Sequence, residues 1–205
     1  MYSRAEGGRK FLPYTLISPP NPTHMKKKIL IGIAIVVVAF IAFASYRFAT
    51  TKNLSPAKVA SYSENGLDIQ VKYSSPSKRG RLIFGEKKDE ALQPYGQYWR
   101  LGANDATEIT FNKNVTFAGK PINAGGYRMF AVPGPTSFLI TLNSELGKFG
   151  YFEPDYTLDV IKVDVPVQTA PLTESLTFSF SSDSTGVNMD IAWDTTLIRV
   201  PIKAQ

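Results

Sequence analysis

The residues best suited to chemistry in this 205-residue sequence lie in the stretch YWRLGANDATEIT, residues 98–110. The guanidinium of Arg100 offers a planar fork of donors that matches a carboxylate, and Asp105 and Glu108 follow it closely. The amide of Asn104 can hydrogen-bond backbone groups in a sharp turn. The pattern predicts either an arginine and turn network that locks two strands together or a surface that binds a ligand.

The ligand-binding hypothesis adds neighbouring aromatic residues and a second arginine. Arg81 and Arg100 could each hold a carboxylate of the protein, such as Asp105, or a carboxylate of a ligand. The candidate ligand-binding residues are Arg81, Tyr98, Trp99, Arg100, Asn104 and Asp105. The structural interpretation instead assigns the aromatic side chains to the core, because most of them occupy alternating strand positions. Arginines that point inward to acceptors favour the structural interpretation, and arginines that face a cleft favour binding.

Missing residue types exclude several kinds of catalysis. The sequence has no cysteine, and its only histidine, His24, precedes a long apolar segment. Thiolate nucleophiles, disulfides and cysteine zinc sites are therefore excluded, and the part after that segment has no histidine to activate a serine. We assign no catalytic residue, no cofactor and no metal site. The alternative is a hydrolase of envelope glycans with a carboxylate pair, drawn from Asp105, Glu108, Glu153 and Asp155.

The charge of the chain is unevenly distributed. Residues 1–50 carry seven basic side chains and one acidic side chain, whereas residues 51–205 carry 16 of each. A nucleic-acid-binding domain needs an excess of lysine and arginine to displace counterions from phosphates. The neutral C-terminal part therefore predicts no nucleic-acid partner.

The apolar segment predicts a membrane-spanning helix. Three lysines at residues 26–28 precede it, and Ile29–Ala44 carries no charged side chain. A helix of about 20 apolar residues spans the hydrocarbon core, and Ile29–Phe48 reaches that length. We expect the lipid bilayer to be the partner of this segment. The lysines predict a cytoplasmic N-terminus and an extracytoplasmic, periplasmic C-terminal domain.

A cleavable signal peptide is the alternative interpretation, because Ala42 and Ala44 fit the small residues of a cleavage site. Cleavage after Ala44 would give a secreted protein. A buried core helix is disfavoured, since no face of the segment is polar. Residues 1–24 are expected to form a disordered preamble, and Met25 could be the true start of the protein.

The chain after the apolar segment has the period-two pattern of β-strands. We predict a linker at residues 49–58 and an exported domain at residues 59–205. In LDIQVKY, residues 67–73, apolar and polar side chains alternate. Comparable patterns occur in ATEITF, NVTFAGK, YRMFAV, SFLITL, TLDVIKVDV, SLTFSF, VNMDIAW and TTLIRVPI. About nine short strands separated by turn residues predict an antiparallel β-sandwich, jelly-roll-like or Greek key.

Local features give more specific predictions. The break in alternation at residues 160–161 indicates a bulge or a strand buried on both faces. The glycine pair at residues 125–126 predicts a hairpin turn. The stretch KKDEALQPYG, residues 87–96, could form one helical turn. Gly102 and Asn104 both tolerate the left-handed backbone that a sharp turn requires.

Two motifs resemble a known family. The segments SSPSKRGRLIFG, residues 74–85, and YGQYWRLGANDATEIT, residues 95–110, occur in order and are followed by AGGYRMFAVPG and ITLN. This order resembles the bacterial DUF2911 family of exported proteins without an assigned activity, over residues 55–202. Ser75 stands where that family usually has arginine, and Asp105 stands where it usually has glutamate. The positions that match are Gly80, Arg81, Ile83, Phe84, Gly85, Trp99, Arg100, Gly102, Ala103, Asn104, Ala106 and Thr107.

These observations together predict a membrane-anchored extracytoplasmic β-sandwich. We expect it to be a binding or structural protein of the cell envelope. Its expected partner is a glycan or an envelope protein.

Overall fold

The structure, a computed structural model, describes residues 22–184 and 186–205. Backbone contacts divide the chain into two units, one ending at Arg47 and one comprising Phe48–Gln205. The sequence predicts a disordered preamble at residues 1–24, and residues 1–21 of it lie outside the described residues.

The N-terminal helix, α1, spans Pro22–Leu54. Its apolar window, Lys26–Phe48, has 23 residues and a mean hydropathy of 2.7, and none of it is buried. The helix is therefore long and apolar enough to cross a membrane, as the sequence predicts. Within the range predicted as a linker, residues 49–58, α1 continues to Leu54 and a strand begins at Ala57. The helix ends after Leu54 because Pro56 disfavours a helical conformation at the residue before it.

Eleven strands follow α1 in the described part of the chain. They are β1 (Ala57–Glu64), β2 (Leu67–Ser74), β3 (Phe84–Gly85), β4 (Gln93–Pro94), β5 (Thr107–Phe111), β6 (Val115–Phe117), β7 (Lys120–Ile122), β8 (Gly125–Val132), β9 (Ser137–Asn143), β10 (Asp159–Asp183) and β11 (Gly186–Ala204). Short 3₁₀ turns lie at Lys87–Asp89 and Tyr156–Leu158. The first of these confirms the helical turn predicted within residues 87–96.

Nine strands form one antiparallel sheet in the order β1-β2-β5-β8-β9-β10-β11-β6-β7. β10 pairs first with β9 and then with β11, and its register shifts between Thr169 and Thr177. This change of partner folds the sheet into two layers. Rings from the two layers meet in the core, where the centroids of Tyr73 and Phe178 are 4.6 Å apart. The predicted antiparallel sandwich is confirmed, while β3 and β4 pair separately and in parallel.

The core follows the predicted alternation. Over residues 67–73 of β2, the apolar side chains are buried and the polar side chains are exposed. Trp99 and Trp193 stack with their ring centroids 6.0 Å apart, and Phe84 packs 5.1 Å from Trp99. The bulge predicted at residues 160–161 is confirmed by a register shift in the pairing of β10 with β9.

Two local predictions differ from the structure. The predicted strand TLDVIKVDV begins in the 3₁₀ turn and continues from Asp159 into β10, which also contains SLTFSF. The predicted strands VNMDIAW and TTLIRVPI both lie in β11, where Asp194 has left-handed backbone between them. The hairpin turn predicted at Gly125 and Gly126 is wrong, because both residues begin β8 and pair with β5. The chain bends at residues 123–124 between β7, which pairs with β6, and β8 in the other layer.

Candidate functional site

The segment around Trp99 separates core residues from surface residues. Trp99 is 2% exposed, and its backbone exchanges hydrogen bonds of 2.8 and 2.9 Å with Ala131. Because side chains alternate along extended backbone, Tyr98 and Arg100 face outward while Trp99 faces the core. Trp99 therefore packs as the structural interpretation expects.

The chain reverses direction between Leu101 and Asn104, which have left-handed backbone with φ of 54° and 56°. Of the two residues that tolerate left-handed backbone, Asn104 adopts it and Gly102 does not. Gly102 provides space instead, because a Cβ there would lie 2.8 Å from the carbonyl oxygen of Ser74. The hydroxyl of Thr107 donates to the carbonyl of Leu101 at 2.9 Å and closes the turn.

Two other segments hold this turn from outside. Nδ2 of Asn104 donates to the carbonyl of Ser55 at 3.2 Å. The carbonyl of Asn104 accepts from the amide of Gly150 at 2.9 Å, and the amide of Ala106 donates to the carbonyl of Lys148 at 3.1 Å. Asn104 therefore ties the turn to the residues after α1 and to the loop after β9, rather than to backbone within the turn.

A cavity of about 240 Å³ lies beside the turn, and three arginines line it: Arg79, Arg81 and Arg100. We refer to it as the arginine cavity. None of its described lining residues is acidic, and Ser55 and Trp193 form part of its wall. The structure thus brings the two arginine candidates together and adds a third arginine.

Backbone carbonyls hold two of these guanidiniums. Arg81 donates through Nε to the carbonyl of Lys78 at 3.0 Å and through a terminal nitrogen to the carbonyl of Ser77 at 2.6 Å. Arg79 donates to the carbonyl of Leu54 at 3.4 Å. Both arginine side chains are exposed. In the described part of the chain, main-chain oxygens take the place of the protein carboxylate expected at Arg81.

The third guanidinium, that of Arg100, is half-buried. It has neither a hydrogen-bond partner nor an ion-pair partner within residues 22–184 and 186–205. Burial lowers the pKa of Arg100, and the neighbouring Tyr98 and Tyr151 oppose that shift. A Cβ on Gly150 would lie 2.8 Å from Cδ of Arg100, so the loop backbone packs closely on the arginine stem. A cation that has lost water without gaining a partner is destabilised, and a bound anion would offset that cost.

Asp105 and Glu108 lie on a different surface. They line an open groove of about 700 Å³, the lysine groove, whose lysines are Lys58, Lys72 and Lys148. One carboxylate oxygen of Glu108 accepts from the amide of Gly147 at 2.8 Å. The expected pairing of Arg100 with either acid is therefore absent among the described residues.

A buried arginine that the sequence did not single out lies on the outer face of β8. Arg128 is 1% exposed. It donates to the carboxylate of Glu145 at 3.1 Å, to the hydroxyl of Tyr98 at 2.7 Å and to the carbonyl of Phe152. The Tyr98 hydroxyl donates in turn to the carbonyl of Gly150 at 3.1 Å. Burial raises the pKa of Tyr98, and the hydrogen bond from Arg128 opposes that shift.

Tyr98 also lines a second cavity, of about 440 Å³, together with Tyr151 and Tyr156. We refer to it as the tyrosine cavity. Gln97 and Glu153 are its polar lining side chains. The hydroxyl of Tyr156 donates to Glu153 at 2.6 Å. Burial is the main cause that raises the pKa of Tyr156, and the hydrogen bond to Glu153 raises it further.

The remaining acidic candidate, Asp155, has a local structural role. Its carboxylate accepts from the amide and the hydroxyl of Thr157, at 2.9 and 2.6 Å, and caps the 3₁₀ turn Tyr156–Leu158. These hydrogen bonds lower the pKa of Asp155. The residues that the structure describes contain no group of three or more histidine, cysteine, aspartate or glutamate side chains placed to hold a metal ion.

The sequence pattern identified only some of the residues that the structure places at these cavities. Arg79 lies two residues before Arg81 in KRGR, so its spacing could have indicated a shared face. Arg128 shares its face of the predicted strand YRMFAV with Phe130 and Val132. Its burial follows from a loop more than ten residues away in sequence, and no local pattern signals that contact. Tyr151 carried no pattern that distinguished it from other loop aromatics.

A family comparison covers most of the chain. The model of the family described as a protein of unknown function, DUF2911, matches residues 55–202. The matched range includes the turn after Trp99, the three arginines of the arginine cavity and the loop after β9. No curated protein and no solved structure gives a significant match. The chain therefore belongs to the DUF2911 family, as the motifs at residues 74–85 and 95–110 predict.

Proposed function

We propose that the protein is a membrane-anchored binding module of the cell envelope, and that its arginine cavity holds an anionic group of the ligand. Arg100 carries this proposal, because its guanidinium is half-buried and lacks a partner among the described residues. A phosphate or a carboxylate would supply the acceptor and match the planar donor fork.

The charge around the cavity supports an anionic ligand. Three guanidiniums surround a small space, and like charges in one site disfavour each other until an opposite charge binds. The nearest acidic side chains are engaged outside the lining. Glu174 accepts from the backbone amide of Arg79 at 2.8 Å, and Asp194 pairs with Lys78 at 2.5 Å.

The donors of the cavity are oriented before a ligand binds. The bonds of Arg79 and Arg81 to backbone carbonyls restrict both side chains, so binding costs less conformational entropy. A volume of about 240 Å³ is below that of most small-molecule sites and suits one charged group rather than a whole saccharide.

The position of the cavity in the chain supports an envelope ligand. Leu54 and Ser55 line it and follow closely after Phe48, the last residue of the apolar window. The lysines before the apolar run support a cytoplasmic N-terminus and a periplasmic domain. The ligand would then be an anionic glycan or protein of the envelope.

The mature mass of the protein tests the anchor itself. Retention of α1 gives the anchored module, and cleavage after Ala44 gives a secreted domain with the same cavity. Mass spectrometry of the purified native protein distinguishes the two forms.

Calorimetric titration of the full chain in an uncharged polyoxyethylene detergent tests the cavity. Inorganic phosphate, glycerol phosphate and acetate are the probes. We expect saturable binding of at least one probe and a weakening of at least about tenfold in Arg100→Met, since a charge-assisted hydrogen bond is lost. Arg199→Met is the matched control, because Arg199 pairs with Asp190 at 2.7 Å outside the cavity lining. Equal weakening in both variants, or no binding of any probe, would contradict the proposal.

A second candidate function, hydrolysis by a carboxylate pair, is supported by one observation. Asp105 and Glu108 line the same groove, where one acid would have to be protonated and the other ionised. Soluble fragments of envelope glycan are the substrates to assay. Turnover that is lost in Asp105→Asn and in Glu108→Gln but kept in Arg100→Met would support this function, and no turnover would remove it.

A further inference from the structure

We propose that the tyrosine cavity is a second binding site and that it takes a neutral saccharide. This site does not depend on the arginine cavity, because it uses different side chains and a different ligand chemistry. Its volume of about 440 Å³ lies within the range of small-molecule sites, roughly 300–1,000 Å³.

The lining side chains suit the two kinds of surface that a sugar presents. A tyrosine offers an apolar ring face and a polar hydroxyl, while a sugar ring has apolar C–H faces and hydroxyls at its edge. Tyr98, Tyr151 and Tyr156 line the cavity together with Gln97 and Glu153. The amide of Gln97 both donates and accepts, and the carboxylate of Glu153 accepts. Sugar hydroxyls, which donate and accept, can be satisfied by this set.

Two of the three rings are held in place. Phe130 packs on both Tyr98 and Tyr156, with ring centroids 5.4 and 5.9 Å apart. The hydroxyl of Tyr98 is bonded to Arg128, and that of Tyr156 is bonded to Glu153. These rings are therefore positioned before a ligand arrives, which reduces the entropy lost on binding.

The third ring is unusually exposed for an aromatic side chain. Tyr151 is 69% exposed, and its ring packs against Phe152, which is itself 67% exposed, with centroids 5.6 Å apart. Folding therefore buries little of the Tyr151 ring. A sugar stacked on that ring would remove its apolar face from water.

Charges of both signs lie near the cavity, because Arg100 and Arg128 act on Tyr98 and Glu153 belongs to the lining. The guanidinium carbon of Arg128 lies 5.9 Å from the centroid of the Tyr98 ring. This cation already uses the electron-rich ring that an organic cation would need. Glu153, which lines the cavity, disfavours an anion. A saccharide without charge avoids both effects.

Saturation-transfer NMR on the full chain tests this site, in a polyoxyethylene detergent that has no sugar headgroup. Cellobiose, chitobiose and maltose are the probes. We expect transfer to at least one disaccharide and a weakening of about fivefold in Tyr151→Ala. Tyr151→Phe keeps the ring face and should bind within about twofold of the wild type. Arg199→Met lies outside both cavity linings and should leave disaccharide binding unchanged. The disaccharides carry no charge, so their binding can be observed even where the arginine cavity binds no anion.

Phe149→Ala is the matched control, because Phe149 is an exposed aromatic of the same loop that lines the lysine groove instead. Equal weakening by Phe149→Ala and Tyr151→Ala would overturn the assignment to the tyrosine cavity. Absence of transfer to every disaccharide would overturn the proposal. Binding of tetramethylammonium or phosphate that is lost in Tyr151→Ala would contradict the proposal, because the ligand of this site would then be an ion and not a neutral saccharide.

Discussion

Arg100 and Arg128 are both withdrawn from solvent in the same domain, yet their surroundings differ. Arg128 is 1% exposed and donates to a carboxylate, a hydroxyl and a carbonyl. Arg100 is half-buried beside a cavity and has no partner among the described residues. A buried guanidinium is tolerated when it is paired and hydrogen-bonded, and it is destabilising otherwise. The comparison indicates that Arg128 maintains the fold and that Arg100 is available to a ligand.

The loop after β9, residues 144–158, accounts for the difference. It reaches Arg128 with the carboxylate of Glu145 and the carbonyl of Phe152. It passes Arg100 at Gly150, which has no side chain to offer. The carbonyl and amide of Gly150 are already bonded to Tyr98 and Asn104. One loop therefore supplies acceptors to the terminal nitrogens of Arg128 and supplies none to Arg100.

Replacing the buried arginine should have the largest effect on stability. Arg128→Met leaves the hydroxyl of Tyr98 and the carbonyl of Phe152 without their donor and removes one partner of the Glu145 carboxylate, and it should lower the free energy of unfolding by about 3 kcal/mol. Arg199→Met removes an exposed ion pair and should cost less than about 1 kcal/mol. Urea unfolding followed by tryptophan fluorescence measures both. Similar small losses in the two variants would break the comparison.

Adding a side chain at Gly150 should have the next largest effect on the free energy of unfolding. A Cβ there would lie 2.8 Å from Cδ of Arg100 and 3.1 Å from the backbone of Ala106, so Gly150→Ala should cost about 2 kcal/mol. Gly126→Ala is the control, because its nearest neighbour is the flexible end of Leu146 at 3.2 Å. We expect the control to unfold within about 0.5 kcal/mol of the wild type. A tolerated Gly150→Ala would show that the loop does not constrain Arg100.

Substitutions of Asn104, in the turn beside Arg100, should have a smaller effect on stability. Comparing two of them separates the cost of backbone strain from the cost of the lost hydrogen bond. Asn104→Gly and Asn104→Ala both lose the bond to Ser55, but only alanine also resists the φ of 56°. We expect the alanine variant to be less stable than the glycine variant by about 1 kcal/mol in thermal unfolding. Equal stability would mean that the turn relaxes when the side chain is removed.

Acidification should give the smallest effect, confined to the loop that covers Arg128. The hydrogen bonds from Thr157 lower the pKa of Asp155 below its ordinary value of 3.8. A carboxyl whose folded pKa is lowered stabilises the fold above its unfolded pKa, and this contribution is lost as pH falls through the folded value. The stability difference between wild type and Asp155→Asn should therefore be present at pH 7 and shrink below about pH 4. Amide exchange in residues 144–158 measures it, and a pH-independent difference would contradict the capping role.

The fold could be predicted largely from local patterns. The alternation of LDIQVKY gives β2 directly, and the apolar run gives α1, because each depends on neighbours in sequence. The merging of predicted strands into β10 and β11 was not predictable in the same way. Residues 169–177 resemble a turn sequence and Asp194 has left-handed backbone, yet β10 and β11 stay paired across this region through Thr173 and Asp194.

The site could be predicted in part. Residue type was sufficient to select Arg81 and Arg100, since guanidinium forks near a turn indicate a carboxylate or phosphate partner. Residue type could not separate Arg100 from Arg128, because the difference depends on which part of a distant loop covers each side chain. The pairing expected between Arg100 and Asp105 failed for a related reason. The turn carries Asp105 to the lysine groove, where its backbone bridges to Phe149.

The most direct test compares Arg100→Met with the wild type in urea unfolding, with and without saturating phosphate. Without phosphate, the account predicts that the variant unfolds within about 1 kcal/mol of the wild type, since methionine keeps most of the apolar stem. With phosphate at ten times the dissociation constant of the wild type, the wild type should gain about 1.4 kcal/mol and the variant at most about 0.4 kcal/mol. A variant that is destabilised as strongly as Arg128→Met, or that is stabilised by phosphate as much as the wild type, would contradict the account.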